Sequence, residues 1–188
     1  MLRKIGVKSI ISSSKSDIEN SEKLILPGVG SFDFGMSKLK EQGLDEIIKS
    51  RVNLQHIPIL GICLGAQLMG KNSGEGILDG LSLVDMEVHK FDVSKLPEGF
   101  KIPHMGWTEV ELAKDSVLFK NMYPEPRVYF VHSYHFVNSE KKDILALSNY
   151  GYQFVSAFEK QNIYGVQFHP EKSHKFGMKL LENFVNLV

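Results

Sequence analysis

The spacing of apolar residues divides the chain into two halves with different predicted structure. In the first half, residues 24–26 and 57–62 are short apolar runs bounded by proline or glycine, so both are predicted strands. Between them, apolar residues recur over 34–52 at the spacing of one helix face, with Gly43 as a weak point. Another helix is predicted to begin near Leu64. This alternation of strands and helices is typical of a parallel sheet covered by helices.

The second half is richer in predicted strands. Its apolar segments are separated by turn residues and are too short for helices. The predicted strands are residues 86–91, 108–112, 127–131, 144–148, 153–158 and 163–168. Helical spacing returns only over 176–188, which we expect to pack on the domain. We therefore expect one α/β domain over residues 1–188, with a central, mostly parallel sheet, flanking helices and extra strands in the second half.

The N-terminal segment predicts two short elements. Residues 1–4 followed by Gly6 are typical of the last turn of a helix stopped by glycine. Residues 9–12 are a predicted strand. A parallel sheet normally has a strand before such a helix, and the sequence offers none there.

Composition and charge exclude several classes of protein. Lysine plus arginine equals aspartate plus glutamate, 22 residues each, so no electrostatic argument favours nucleic acid as a partner. No apolar run approaches the roughly 18 residues of a membrane span, and we expect no membrane association. A single cysteine excludes an internal disulfide and suits a reducing compartment. We therefore expect a cytoplasmic protein.

The only cysteine, Cys63, lies between two glycines directly after a predicted strand. A sharp strand-to-helix turn that exposes a nucleophile needs this arrangement, because glycines remove side chains where the backbone crowds. The start of a helix also stabilises a thiolate through its free amides and its dipole. Most lone cysteines are small hydrophobic core residues, but the glycine frame favours a nucleophile for acyl transfer.

Two further stretches supply groups that such a nucleophile needs. His169 and Glu171 would place a base beside a carboxylate that orients it; the alternative is a surface turn with a salt bridge. The loop after the first predicted strand has amides near Val29 or Gly30. Together with the amide of Leu64 they would form an oxyanion hole; the alternative is a simple turn.

The histidines have a competing use as metal ligands. His132 and His135 are three residues apart on a predicted strand, which places them on opposite faces. No His-Glu-x-x-His or Cys-x-x-Cys motif occurs. The chain also lacks the glycine-rich signatures of nucleotide-binding loops. We expect neither a metal nor a cofactor.

These motifs resemble those of the class I (triad) glutamine amidotransferases. The resemblance rests on residues 27–36, 61–67, 103–107, 129–134 and 169–171. Together these stretches look most like the members of the family that supply ammonia for histidine biosynthesis. The resemblance covers the whole chain and implies a flavodoxin-like α/β fold.

The resemblance also implies a role for each candidate residue. Cys63 would be the nucleophile, His169 the general base and acid, and Glu171 the carboxylate that orients the histidine. The residues implied to bind the substrate glutamine are Gln67, Ser133 and Tyr134. Those implied to face a partner are His104, Met105 and Trp107, although core packing is the alternative for Trp107. The implied partner is a (β/α)8-barrel synthase (cyclase) subunit that forms a heterodimer and uses the ammonia.

The sequence departs from the family at two points. Family members begin with a strand and an Asp-Tyr-Gly-like loop that this sequence lacks. We expect either that the true start lies upstream of Met1 or that the product is poorly stable and inactive. The second departure is Thr108, where the family usually has asparagine. It lies in the stretch implied to face the partner and leaves the identity of that partner open.

Three alternatives to the leading hypothesis remain open from the sequence. A similar subunit would supply ammonia for the amination of a surface-polysaccharide sugar. A truncated chain would bind the barrel without hydrolysing glutamine. A stand-alone cysteine hydrolase with a related fold is the third alternative, but those proteins usually have histidine where this chain has Leu64.

Overall fold

The computed structural model describes residues 1–188, which form a nine-stranded mixed sheet, a two-stranded sheet and flanking helices. The strands are β1 (Leu24–Gly28), β2 (Ile59–Cys63), β3 (Asn72–Ser73), β4 (Met86–Lys90), β5 (His104–Glu109), β6 (Glu111–Leu112), β7 (Arg127–His132), β8 (Tyr134–Asn138), β9 (Ile144–Tyr150), β10 (Tyr152–Lys160) and β11 (Ile163–Val166). The α-helices are α1 (Lys15–Glu19), α2 (Phe32–Glu41), α3 (Leu44–Asn53), α4 (Leu64–Gln67) and α5 (His174–Leu187). None of these helices has the length and apolar character needed to cross a membrane.

The parallel part of the large sheet consists of β1, β2 and β11. β2 lies between the other two and pairs in parallel with both, so its five residues are all buried. The register places Gly28 opposite Cys63 and Val166 opposite Ile62. Because the carboxyl ends of parallel strands meet at one edge, the loops after β1, β2 and β11 converge there.

The second half of the chain extends this sheet with antiparallel ladders. β10 pairs antiparallel with β11, β8 and β9, and β4 continues the sheet beyond β8. β5 and β7 form the separate two-stranded sheet, which pairs His104 with His132 and Trp107 with Tyr129. The extra strands predicted for the second half are therefore present.

Apolar residues pack on both faces of the large sheet. Along β2, Ile59 belongs to the cluster covered by α2 and α3, whereas Leu60 and Ile62 belong to the cluster covered by α5. Phe32 and Phe184, from α2 and α5, are almost completely buried in these two clusters. Burial on both faces explains why β2 is a continuous apolar run rather than an alternating one.

Several predicted elements differ from the structure. The single helix predicted over 34–52 is two helices, because Gly43 between α2 and α3 has a φ of 62° and ends the helical path. The prediction of a strand over residues 9–12 is wrong. Ile10 and Ile11 lie in an exposed segment without regular structure, at 73% and 107% exposure. Because a strand needs a neighbour for its backbone groups, this segment does not become one.

Candidate active site

Cys63 lies at a sharp turn between β2 and α4. It has φ 52° and ψ −114°, a backbone conformation that residues other than glycine rarely adopt. Only 8% of the residue is exposed. Such a strained strand-to-helix turn is the geometry that the glycine frame predicts, and strain of this kind is concentrated at functional sites.

The glycines of the motif allow α4 to lie directly on the strands. A Cβ at Gly65 would overlap the carbonyl oxygen of Leu26 in β1. A Cβ at Gly61 would overlap the backbone of Ala66. Cys63 is thus held by backbone packed against backbone, which no larger residue at these positions permits.

His169 and Glu171 form the contact that the sequence predicts. His169 Nδ1 lies 2.7 Å from Glu171 Oε1. The two residues are brought together by a short 3-10 turn over Pro170–Lys172 rather than by a strand, since β11 ends at Val166. The backbone amide of His169 donates to the Tyr129 carbonyl at 2.9 Å, which anchors the ring beside the sheet.

The protonation of His169 is set by its two neighbours. The Nε2 atom of His169 is buried and has no nitrogen or oxygen partner. The pKa of His169 is raised to about 9, mainly by the Cys63 sulfur and secondly by Glu171. Burial is the largest single influence on the Glu171 carboxyl and would raise its pKa. The hydrogen bond from His169, a backbone hydrogen bond and the charges of His169 and Lys172 together outweigh burial, so the pKa lies below its ordinary value. The raised pKa keeps the His169 imidazole protonated at neutral pH, beside the Cys63 sulfur.

We expect the Glu171→Gln variant to lose activity at alkaline pH earlier than the parent protein. In the folded protein the pKa of His169 is about 9, above its ordinary value of 6.5. The contacts of the protonated ring with Cys63 and Glu171 therefore stabilise the protein fully below pH 6.5, and this stabilisation is lost as the pH rises through about 9. Removing the Glu171 charge should shift the alkaline limb of kcat/KM down by about one pH unit. The control is Glu182→Gln, which removes a half-exposed carboxylate paired with Lys179 instead. Identical profiles for the two variants would contradict the assignment.

A cavity of about 400 Å³ opens beside the cysteine. Cys63 and His169 border it, together with the three residues predicted for the oxyanion hole and the three predicted to bind substrate. Those six residues are Val29, Gly30, Leu64, Gln67, Ser133 and Tyr134. The structure thus brings every one of these predicted residues to one place, while their individual roles remain predictions.

Two polar residues of this site were not identified from the sequence. Gln167 is fully buried, accepts a 3.0 Å hydrogen bond from Gln67 Nε2, and its own amide lies 3.7 Å from Cys63 Sγ. Glu75 also lines the cavity, and its carboxylate accepts a 2.9 Å hydrogen bond from the amide of Phe32 at the start of α2. In the sequence, Gln167 could have been identified as a polar residue within the apolar run that leads to His169. Glu75 carries no comparable signal.

The three residues predicted to face a partner do not share one environment. Met105 and Trp107 are 60% and 39% exposed, and Trp107 stacks on His174 with ring centroids 5.2 Å apart. His104, in contrast, is only 1% exposed. Its prediction as a partner-facing side chain is wrong, because alternate residues of β5 point to opposite faces and His104 points inward.

The prediction that His132 and His135 lie on opposite faces of one strand is also wrong. Ser133 separates β7 from β8, so the two histidines lie on successive strands. Both rings contact Phe91, with centroid distances of 5.2 and 4.9 Å. No group of three or more histidine, cysteine or acidic residues in the structure is arranged to hold a metal ion.

Known proteins with similar sequences and folds are consistent with this geometry. The family model of class I glutamine amidotransferases matches residues 1–187. An imidazole glycerol phosphate synthase subunit HisH 2 from Methanococcus maripaludis is 51% identical over 98% of this chain and 90% of that protein. A protein of the same name from Pseudomonas aeruginosa is 45% identical over the whole chain and 92% of that protein. A solved glutamine amidotransferase, 18% identical, superimposes with a TM-score of 0.74 over 98% of this chain and 90% of that one. The chain thus belongs to the class I glutamine amidotransferases.

Proposed function

We propose that this protein is the glutaminase subunit of imidazole glycerol phosphate synthase. It would hydrolyse glutamine to glutamate and ammonia, and a (β/α)8-barrel cyclase subunit would use the ammonia in histidine biosynthesis. The products of the complex would be imidazole glycerol phosphate and the aminoimidazole carboxamide ribotide. The observation that carries the proposal is the Cys63–His169–Glu171 array at a cavity of about 400 Å³. The names of the similar HisH proteins support the choice of pathway.

The first chemical step forms a thioester. The Cys63 thiolate attacks the side-chain amide carbon of glutamine, and the carbonyl oxygen becomes an oxyanion. Backbone amides at Leu64 and at the peptide between Val29 and Gly30 are the proposed donors to that oxyanion. Each such donor lowers the barrier by about 2.7–4 kcal/mol. The imidazolium of His169 then protonates the departing ammonia, which leaves a γ-glutamyl thioester.

The second step regenerates the enzyme. Neutral His169 removes a proton from water as the water attacks the thioester carbon, and the thiolate leaves as glutamate forms. Glu171 holds the ring through Nδ1 during both steps, so that Nε2 always faces the reacting atoms. No other group has to change its protonation during the cycle.

The cavity also offers groups that recognise the α-amino acid end of glutamine. Glu75 is the only carboxylate that lines it, so we assign Glu75 to the substrate ammonium. Gln67 uses its amide hydrogens within the protein, on the Tyr134 carbonyl and on Gln167. Its oxygen therefore remains an acceptor for a substrate N–H.

The test of this function is glutamate release from glutamine, measured with and without the barrel subunit from the same organism. We expect release that depends on Cys63 and rises when the barrel is added, together with imidazole glycerol phosphate formation by the pair. Glutamate release without that product would favour the sugar-amination alternative. Tight complex formation without any glutamine hydrolysis would contradict the proposal and favour a non-catalytic subunit.

A further inference from the structure

A series of hydrogen bonds connects strand β5 with the glutamine cavity. Thr108 Oγ1 lies 2.9 Å from His104 Nε2, and His104 Nδ1 lies 3.0 Å from His132 Nε2. His132 Nδ1 lies 2.7 Å from the carbonyl oxygen of Tyr134. The same oxygen accepts a 3.2 Å hydrogen bond from Gln67 Nε2. We call this series, from Thr108 to the Tyr134 carbonyl, the histidine relay.

One acceptor fixes every proton of the histidine relay. The Tyr134 carbonyl can only accept, so His132 Nδ1 must carry the hydrogen. Burial lowers the pKa of His132 to about 3 and that of His104 to about 4, so both rings are neutral and each has a single N–H. His132 Nε2 therefore accepts from His104 Nδ1. His104 Nε2 must then accept from the Thr108 hydroxyl, and every donor points toward the cavity.

Aromatic packing holds the two rings of the relay in place. His104 stacks between Tyr150 and Phe130, with centroid distances of 4.0 and 4.8 Å. His132 lies 5.2 Å from Phe91. The two histidines are 1% and 6% exposed, so water has little access to replace a lost partner. Loss of the Thr108 hydroxyl would leave a buried acceptor on His104 without a donor.

The inner end of the relay reaches the nucleophile through two glutamines. Gln67 shares its amide hydrogens between the Tyr134 carbonyl and Gln167 Oε1, and Gln167 in turn lies 3.7 Å from Cys63 Sγ. These hydrogen bonds fix the orientation of the Gln67 side-chain amide, because they hold Nε2 toward the Tyr134 carbonyl and Gln167. The orientation of a cavity-lining acceptor thus depends on the Tyr134 carbonyl.

We propose that Thr108 is a positioning residue for glutamine binding, acting through the two buried histidines on the Tyr134 carbonyl and Gln67. This role rests on the proposed glutaminase function, because the cavity that the relay organises is the one assigned to glutamine. Thr108 itself is half-buried and lines a second cavity of about 610 Å³ beside Trp107. The donor that begins the relay therefore lies on a different surface from the nucleophile.

The test compares Thr108→Val, which keeps the shape but lacks the hydroxyl, with Thr108→Ser, which keeps the hydroxyl. We expect Thr108→Val to raise KM for glutamine about fivefold while kcat changes less than about twofold. Thr108→Ser should stay within about twofold of the parent in both constants. In the Cys63→Ala background, where no turnover occurs, calorimetry should show the same loss of glutamine affinity for Val and its rescue by Ser. Thermal unfolding of each variant shows whether it is folded.

Nitrogen NMR of the histidine rings provides a readout that does not need activity. We expect His104 and His132 to carry their protons on Nδ1 in the parent and in Thr108→Ser, and the His104 ring signals to shift in Thr108→Val. Three results would each overturn the proposal. The first is a proton on Nε2 of His132, and the second is an unchanged glutamine affinity in Thr108→Val. The third is a loss of glutamine affinity in Thr108→Ser that equals the loss in Thr108→Val. A parent protein that neither binds nor hydrolyses glutamine would overturn the proposed function instead, while the NMR comparison would still decide whether the relay exists.

Discussion

The Cys63→Ala variant should lose glutamine hydrolysis by at least about 10³-fold while it keeps its fold and its glutamine affinity. Thioester formation requires the sulfur, and Cys63 is the only cysteine of the chain. Steady-state glutamate release, measured in the presence of the barrel partner, gives the magnitude. Activity within about tenfold of the parent would contradict thioester chemistry.

The same variant should also change the titration of His169. The Cys63 sulfur is the larger of the two neighbours that raise the pKa of His169 to about 9, so removing it should lower that pKa. NMR titration of the ring in Cys63→Ala and in Glu171→Gln gives the two contributions separately. A pKa that stays near 9 in Cys63→Ala would mean that the sulfur and the imidazole do not interact in the resting site.

The local chemistry of the site was predictable because it depends on short motifs. A single cysteine between glycines after an apolar run indicates the sharp strand-to-helix turn, or elbow, at Cys63. His169 and Glu171 are only two residues apart in sequence, so contact between their side chains could be expected from the sequence alone. Gln167 was not predictable in the same way, since its importance arises from a contact with Gln67 across 100 residues. Such long-range contacts are decided by sheet register and not by local spacing.

The fold shows the same division between local and long-range information. β2 and α5 were predictable because apolar spacing alone identifies elements buried along one or both faces. The segment with Ile10 and Ile11 has the composition of a strand but remains exposed. Side chains of its serines make local hydrogen bonds, such as the 3.0 Å bond from the Ser14 amide to Ser12 Oγ, which compete with regular structure.

The histidine environments also depended on information that spacing does not carry. A period of two places His132 and His135 on opposite faces only if the strand continues between them. The break at Ser133 changes the direction of the chain, so both rings meet Phe91. A one-residue interruption is invisible in the apolar pattern, yet it creates the buried histidine relay.

We expect Gly65→Ala to destabilise the protein more than any other single methyl addition near the elbow. A Cβ at Gly65 would overlap the carbonyl oxygen of Leu26, a backbone atom of the paired strand β1 that cannot rotate away. Either α4 must move outward or β1 must shift, and both displace the turn that holds Cys63. The cost should be about 2–4 kcal/mol in the free energy of unfolding.

A matched control separates this close approach from a general effect of replacing glycine. Gly74 is exposed, and a Cβ there would meet only the Val88 carbonyl oxygen at 3.7 Å, an ordinary contact. Gly74→Ala should therefore change the free energy of unfolding by less than about 1 kcal/mol in either direction. Urea unfolding of the two variants gives the comparison, and glutamate release shows whether the elbow has moved. Equal stabilities would mean that α4 does not lie directly on β1, and the geometry that holds Cys63 would need another explanation.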